Sequence, residues 1–411
     1  MPARIKFCLA VLLLYGAGYA GGRCWAWRTA ERAQGRVLAR SEPVAGRAGA
    51  VELLSGRYVI DRMYQSMLGP SSNLPDLQLC PGLPADEVLY LTGAKAEVVE
   101  ADSEAPVSPE FFCHSNLTLS PQSTSPAAHN AGFAAPMHMD WRFFTLVPGR
   151  MELHLPEGFG IPIRNATRLD CYTMSLNQNP GIPKQAVRIR SRFDFARGGQ
   201  GMRPVFRRAL YVYQHFTDGG GQPALAIAAA EHQGAACGLN CDRNQRAATP
   251  SLAYDLSEPL SHPGASCCVE NASAGGVMDQ FGHDNTIHWM VPPGRHAFKT
   301  DVSRQMELPF DTTAHYVTGH LHPCGTGLRL VDLDTGSTVF DIASQDFADK
   351  TGVQHMAEIS SKEGVPLKKD GRYELVAEYD NGTSHPIDVM AILYLYLAET
   401  PPGKAGGVAS R

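Results

Sequence analysis

Two histidines separated by one residue form the part of this sequence most suited to chemistry. His320 and His322 lie in the run 308–336, whose composition predicts a strand. Because alternate side chains of a strand share a face, both imidazoles leave the same face a few ångströms apart. One metal ion can bind both, and a metal explains two neutral imidazoles that are costly to bury without partners. Taken alone, this spacing is more often structural than metal-binding.

A second run adds a soft donor atom. Residues 388–397 predict a strand with Met390, Ile392, Tyr394 and Tyr396 on one face. A methionine in such a position ordinarily fills a hydrophobic core. The order of the surrounding motifs is what gives Met390 further meaning.

Five features occur in a fixed order along this half of the chain. They are a Pro-Pro-Gly at 292–294, the His-x-His pair, a Gly-Arg-Tyr at 371–373, Tyr379-Asp380, and a final strand of the form Asp-x-Met…Tyr-x-Tyr. This series resembles the catalytic domain of the copper type II, ascorbate-dependent monooxygenases, which include the peptidylglycine α-hydroxylating and dopamine β-monooxygenases.

The resemblance implies a copper site at His320, His322 and Met390. Two imidazoles and a thioether suit Cu(I), and they leave an open position for O₂. The resemblance also implies hydroxylation of a C–H bond with an external reductant such as ascorbate.

The first metal site of that family is altered in this chain. The paired histidines of its first ligand strand correspond to Cys113 and His114, and Leu176 occupies the position of its third histidine. Leucine cannot bind copper, so we expect at most a weak second metal site at His114 and Cys113. Met137 and His138 could substitute, although exposed loop positions are the favoured interpretation for both.

The chain also resembles an uncharacterised group of secreted proteins related to the stress-upregulated nodulin family. The similarity is clearest in short segments at 157–162, 308–316 and 374–376, and it extends over roughly 60–400. It brings no established activity with it.

Further side chains near the His-x-His pair have open roles. His288 could face the metal, but a hydrogen-bonded structural role is favoured for it. His315 is an odd number of residues from His320 and points to the opposite face unless a bulge intervenes. Cys324 stays on the ligand face if the chain does not turn at Pro323, and it could then be a fourth ligand or a disulfide partner.

Composition limits the class of protein. The 411 residues carry a net charge of −5, which excludes a nucleic-acid binder that works by neutralising phosphates. Gly 40 and Pro 29, with short β-branched runs between them, predict an all-β fold. We expect two tandem antiparallel jelly-roll-like β-sandwich domains and little helix.

The amino-terminal segment predicts a secretory signal peptide. Basic residues, an apolar stretch and small residues near Ala20 fit cleavage there better than retention as a signal anchor. We therefore expect a secreted or secretory-pathway protein without a stable membrane span. Four Asn-x-Ser/Thr sequons fit that compartment: Asn116, Asn165, Asn271 and Asn381. Disulfides are expected among seven cysteines: Cys80, Cys113, Cys171, Cys237, Cys241, Cys267 and Cys268.

The predicted organisation has six parts. They are a signal peptide 1–20, a flexible leader 21–50, an N-terminal β-sandwich 51–216, a Cys/Gly-rich linker or insertion 217–279, a C-terminal β-sandwich 280–400, and a disordered tail 401–411.

Two functions from different classes follow. The first is a copper-dependent monooxygenase-like protein acting on an unidentified small molecule or peptide. The second is a non-catalytic extracellular copper-binding or structural glycoprotein that keeps the fold, which the leucine at position 176 favours.

Overall fold

The chain folds almost entirely into strands in the computed structural model, which describes residues 34–44, 48–64, 69–120, 142–198, 201–215, 277–278, 284–287, 289–306 and 308–399. A 3-10 turn at Pro109–Phe111 and a one-turn helix, α1, at Ser303–Met306 accompany them. The prediction of an all-β fold is confirmed. Across these ranges no helix has the length and apolar character to span a bilayer.

The strands follow one another in chain order. The first thirteen are β1 (Arg36–Ser41), β2 (Gly49–Leu54), β3 (Tyr58–Ile60), β4 (Ser71–Leu77), β5 (Val88–Glu100), β6 (Phe112–Leu119), β7 (Arg142–Leu146), β8 (Glu152–His154), β9 (Phe159–Arg164), β10 (Leu169–Ser175), β11 (Gln185–Arg197), β12 (Arg203–Tyr211) and β13 (Gln214–His215). The others are β14 (Val277–Met278), β15 (Asp284–Thr286), β16 (Trp289–Val291), β17 (Gly294–Asp301), β18 (Thr312–Leu321), β19 (Gly325–Asp332), β20 (Thr338–Asp346), β21 (Val353–Met356), β22 (Glu358–Leu367), β23 (Tyr373–Asn381), β24 (Ile387–Val389) and β25 (Ala391–Ala398).

The first sandwich packs the sheet β4-β10-β6-β7 against strands β1, β2, β11, β5 and β9 of a larger sheet. Alternation in β11 shows how the sequence builds this core. Val187, Ile189 and Phe193 are fully buried on one face. Arg190 and Arg192, on the other face, form ion pairs with carboxylates of neighbouring strands. Arg188 differs from these two arginines, because it is buried and donates to the main-chain carbonyls of Ala101 and Ser55.

The second sandwich packs strands β12, β25, β18 and β22 against the sheet β17-β23-β19-β20-β21. Its core is filled by Leu393, Leu395 and Leu397 from one sheet and by Leu328 and Leu375 from the other. Both sandwiches thus follow the layered arrangement of two antiparallel sheets with alternating inward side chains.

One large sheet runs through both sandwiches. Strand β12 pairs in parallel with β9 at Arg203 and antiparallel with β25 from Val205 to Tyr211. By its pairing with β25, β12 belongs to the second sandwich, although the predicted division at residue 216 assigns it to the first. Compositional breaks could not reveal this, because the pairing joins segments that are far apart in sequence.

The second face of β12, β25 and β18 packs toward the first sandwich, and we call it the joint face. It carries alternate residues of the three strands: Arg207, Ala209, Tyr211, Tyr316, Thr318, His320, Ile392, Tyr394 and Tyr396. Arg207 donates to Thr145 Oγ1 at 3.0 Å, and Tyr396 donates to the carbonyl of Phe143 at 3.2 Å. Strand β7 of the first sandwich therefore lies against this face.

The predicted flexible leader is wrong for residues 36–41. They form β1, an edge strand paired with β2. Val37 packs on the first core, and Arg36 forms an ion pair with Glu104 at 2.7 Å. These contacts give the segment a fixed place. The predicted signal peptide, the tail and nearly all of the linker lie outside the described residues.

Three of the four sequon asparagines are buried and cannot present a side chain to a glycan. Asn116 is 2% exposed, and Asn165 and Asn381 are each 1% exposed. Asn165 donates to the carbonyls of Cys80 and Leu83 at 2.8 Å. The prediction of glycans is therefore wrong at these three sites, and Asn271 lies outside the described residues.

The predicted disulfides are wrong for Cys113, which forms none, and for Cys80 and Cys171, which carry free thiols. Both are enclosed in the first sandwich, and burial raises the pKa of Cys171 to about 12. A thiol in this environment stays protonated and unreactive. The four cysteines predicted to lie in the linker fall outside the described residues.

We expect Asn165→Ala to lower the free energy of unfolding by about 3 kcal/mol, because it removes buried hydrogen bonds and leaves their carbonyls unpaired. Chemical denaturation followed by fluorescence measures this loss. Asn116→Ala is the matched control, since Asn116 is similarly buried, whereas the hydrogen bonds that Asn165→Ala removes all come from Asn165 Nδ2. Equal losses in the two variants would contradict the assigned role of Asn165.

Candidate metal centre

The His-x-His pair lies where β18 ends against β25. His320 is in the strand and His322 directly follows it, and they are 8% and 6% exposed. Their ring centroids are 5.1 Å apart with an interplanar angle of 77°. The extended backbone thus brings the two imidazoles together as their spacing predicts.

A main-chain carbonyl fixes the proton on His322. Nδ1 of His322 lies 3.3 Å from the carbonyl oxygen of Asp388. Because a carbonyl can only accept, Nδ1 carries the proton and Nε2 keeps its lone pair. A hydrogen bond from one ring nitrogen to a carbonyl is the usual support of a metal-binding histidine.

Met390 lies at the point where the last strand changes partners. Before it, β24 pairs with β16, and after it, β25 pairs with β18. His320 is opposite Ile392, so continuation of the same register sets Met390 opposite His322. Side chains directly opposite have Cβ atoms about 5 Å apart, and diagonal ones about 7 Å.

The backbone at Met390 is anchored. Tyr379 donates its hydroxyl to the Met390 carbonyl at 2.9 Å, and the Met390 side chain is only 4% exposed. If the register continues by one residue, the thioether lies on the face that bears both imidazoles. Within the described ranges no three His, Cys, Asp or Glu side chains form a metal-binding group. A centre at this place consequently depends on Met390 as its third ligand.

Cys324 leaves the ligand face because the chain turns at Pro323. The turn is closed by the Gly325 N–H donating to the His322 carbonyl at 3.1 Å, with φ of 69° at Cys324. Proline followed by a positive φ is typical of a type II β-turn. The condition for a fourth-ligand role, a straight strand through Pro323, is not met.

Cys324 is surrounded by residues of the sheet β17-β23-β19-β20-β21. Its N–H donates to Asp346 Oδ2 at 2.6 Å, and its carbonyl accepts from the N–H of Asp380 at 2.8 Å. Burial, together with the charges of these two carboxylates, raises the pKa of the Cys324 thiol. Cys324 forms no disulfide, so neither of the two roles considered for it is met in the described structure.

A bulge in β18 lies at His315 and turns its ring toward the first sandwich. The ring stacks on Phe159 with centroids 4.1 Å apart, and its nitrogens contact Thr313 Oγ1 and the Ser361 carbonyl. His315 is therefore a structural residue, and the bulge on which its predicted direction depended is present. His296 lies in β17 and contacts the carbonyl of Pro293, just before that strand, and His288 lies outside the described residues.

At the position that corresponds to the family's first metal site, the structure has a buried, uncharged histidine, His114. His114 Nδ1 lies 3.3 Å from Cys113 Sγ, and its ring stacks on Tyr172 at 5.3 Å. Burial, with a smaller contribution from the charge of Arg142, lowers the pKa of His114 to about 3. Leu176 is buried in the first core.

The structure thus shows one histidine here and supplies no second imidazole from the position of Leu176. Met137 and His138 lie outside the described residues. The weak second metal site remains a prediction, and its described part offers Cys113 and His114 alone.

Sequence reasoning missed the polar cluster on the joint face. Arg207 is 1% exposed, and its guanidinium lies 4.4 Å above the ring of Tyr394. Tyr316 donates to Glu358, which also pairs with Arg150 at 3.1 Å. The alternation of β12 and β18 could have indicated buried polar positions, but not which strands face them.

No protein-family model matches the chain, and no curated protein matches it. Solved structures align over most of its length at low similarity. The major capsid protein P2 from Bacteriophage PM2 is 8% identical with a TM-score of 0.28, and the alignment covers 85% of this chain and 99% of that one. A structure of Sulfolobus Turreted Icosahedral Virus is 7% identical with a TM-score of 0.27, covering 90% and 92%.

A seed protein gives a third example. The 11S globulin from Wrightia tinctoria is 9% identical with a TM-score of 0.16, covering 88% of this chain and 83% of that one. Likenesses at this level carry no argument about function.

Acid should destabilise the protein through His114. Its folded-state pKa, about 3, is below the unfolded value of about 6.5, so the unfolded chain binds the proton first. Stability from this group is complete above about pH 6.5 and falls by about 1.4 kcal/mol per pH unit toward pH 3.

Urea unfolding of wild type and His114→Phe at several pH values from 7 to 4, with a chelator present, tests this. Phenylalanine keeps the stack on Tyr172, so the variant should show a shallower pH dependence. Parallel curves for the two proteins would show that His114 does not carry the effect.

Proposed function

We propose that this protein binds one copper ion through His320, His322 and Met390. The observation that supports the proposal is the register of β18 and β25, in which His320 pairs with Ile392 and Leu321 with Ala391. Continued by one residue, this register would set Met390 opposite His322. The contact of His322 Nδ1 with a carbonyl supports the proposal further, since it leaves the lone pair of Nε2 available to bind the metal. The buried imidazole pair and the adjacent thioether fit a copper ion.

The donor set favours copper in its reduced state. Thioether and imidazole donors suit Cu(I), whereas Mg²⁺ and Ca²⁺ prefer oxygen ligands. A three-residue set leaves a coordination position for a small molecule. When bound, a copper ion would supply the one-electron chemistry that activates O₂.

We further propose hydroxylation of a C–H bond with O₂ and an external reductant such as ascorbate. The chain's own part is to hold the ligands and exclude water. The Asp388 carbonyl orients His322, and Tyr379 holds the backbone of Met390. Both imidazoles are more than nine-tenths buried, so few water molecules compete at the centre. The resemblance to the copper type II monooxygenases and a secreted location belong to the same proposal.

One observation favours a second, non-catalytic candidate. Leu176 is part of the first core, and the nearby His114 is buried and uncharged. The described part of the first sandwich therefore gives little support for a metal that stores the second electron of a hydroxylation. A copper-binding or structural protein of the extracellular space would need only the centre at His320.

Copper binding is the first test. Purified protein should bind one Cu(I) per chain, measured by competition with a chromogenic Cu(I) chelator. His320→Ala should weaken binding by more than the 10–100-fold that loss of an outer-shell partner costs. His154→Ala, which changes an exposed histidine of β8, is the matched control and should bind like wild type. Absence of copper binding in wild type would overturn the proposal.

Turnover separates the two candidates. With copper and ascorbate, wild type should consume oxygen above a control of free copper at equal concentration, and Met390→Leu should lower this rate while the fold persists. Oxygen electrodes and product mass spectrometry measure the two quantities. A protein that binds copper but never exceeds the free-copper control favours the non-catalytic candidate.

A further inference from the structure

A buried tyrosine on the joint face has its own proton acceptor. The hydroxyl of Tyr316 donates to Glu358 Oε2, while the Tyr316 side chain is 1% exposed. Glu358 Oε2 also forms an ion pair with Arg150, whose Nη1 lies 3.1 Å away. Arg150 is fixed in turn, because its Nε donates to the carbonyl of Met356 at 3.0 Å. The phenol is therefore paired with a positioned base.

A second phenol is next to the first. The rings of Tyr316 and Tyr396 have centroids 5.7 Å apart and meet edge to face at 79°. Tyr396 donates to the Phe143 carbonyl, which is a neutral acceptor and cannot take a proton. Within this pair only Tyr316 can lose its proton to a neighbour when it is oxidised.

We propose that Tyr316 is a redox-active side chain that releases one electron while its proton passes to Glu358. The O–H bond of Tyr316 breaks, the electron reduces a one-electron oxidant, and the proton moves to Glu358 Oε2. A phenoxyl radical remains on Tyr316. An external reductant of the ascorbate class then returns one electron through the protein, and the proton moves back from Glu358 to the Tyr316 oxygen, which restores the O–H bond.

The position of Tyr316 suits this role. Its burial keeps the radical from other molecules, while the Glu358 side chain is 37% exposed and gives the proton a route to water. Tyr316 and His320 share a face of β18, four residues apart, which corresponds to about 13 Å at the rise of a strand. Exchange of electrons with the centre at His320 rests on the proposed copper site; the redox activity of Tyr316 does not.

The test uses metal-free full-length protein and a photogenerated ruthenium(III) polypyridyl oxidant. We expect the electron paramagnetic resonance signal of a tyrosyl radical. The lines of this signal should narrow when the protein contains ring-deuterated tyrosine. Tyr316→Phe should lose most of this signal. Tyr64→Phe is the matched control, because Tyr64 also contacts a carboxylate, Asp61 at 3.2 Å, but lies away from the joint face.

A second variant keeps the proposal testable if Tyr316→Phe does not fold. Glu358→Gln keeps the hydrogen-bonding shape but lacks a strong base. It should slow radical formation by about 100-fold, the lower end of what a positioned base contributes to proton transfer. The solvent deuterium isotope effect on that step should also change. An unchanged rate in Glu358→Gln, or a signal that survives in Tyr316→Phe, would overturn the proposal, whatever the outcome of copper binding.

Discussion

The two-sided burial of β25 is the constraint on which the rest of the structure depends. Leu393, Leu395 and Leu397 fill the core of the second sandwich, while Ile392, Tyr394 and Tyr396 pack toward the first. A strand buried on both faces cannot slip by one residue, because a slip would exchange aromatic and aliphatic side chains between two differently shaped cores. The register of β25 against β18, which pairs His320 with Ile392, is therefore set by packing along the whole strand. The position of the candidate ligands relative to one another therefore depends on the packing of β25 in both cores.

Sequence patterns predicted those parts of the fold that depend on neighbours along the chain. The period of two in β11 and β25 is local, and so is the shared face of His320 and His322. The sequence also indicated a possible turn at Pro323. Whether that turn formed decided the direction of the Cys324 side chain. The existence of strands and the His-x-His geometry could thus be predicted from residue types and spacing.

Long-range pairing decided what the sequence could not predict. The sharing of β12 between the two sandwiches depends on contacts with β9 and β25, and no local signal marks it. The sequon asparagines gave a related error. Asn165 and Asn381 match an acceptor motif, yet each uses its amide to bond main-chain carbonyls in the interior. The same short motif can be a glycan acceptor at the surface or a hydrogen-bonding amide in the interior, and only the burial of the asparagine distinguishes the two.

The pairing of β12 with β25 also has a consequence for how the chain folds. Their partners are about 190 residues apart, so closing this ladder costs much chain entropy before its contacts repay it. Until β25 docks, β12 and β18 expose unpaired backbone edges of the kind that promotes association between chains. Slow folding that is sensitive to protein concentration follows from this arrangement. The strand that aligns the candidate ligands is thus also the one whose late docking governs the yield of folded protein.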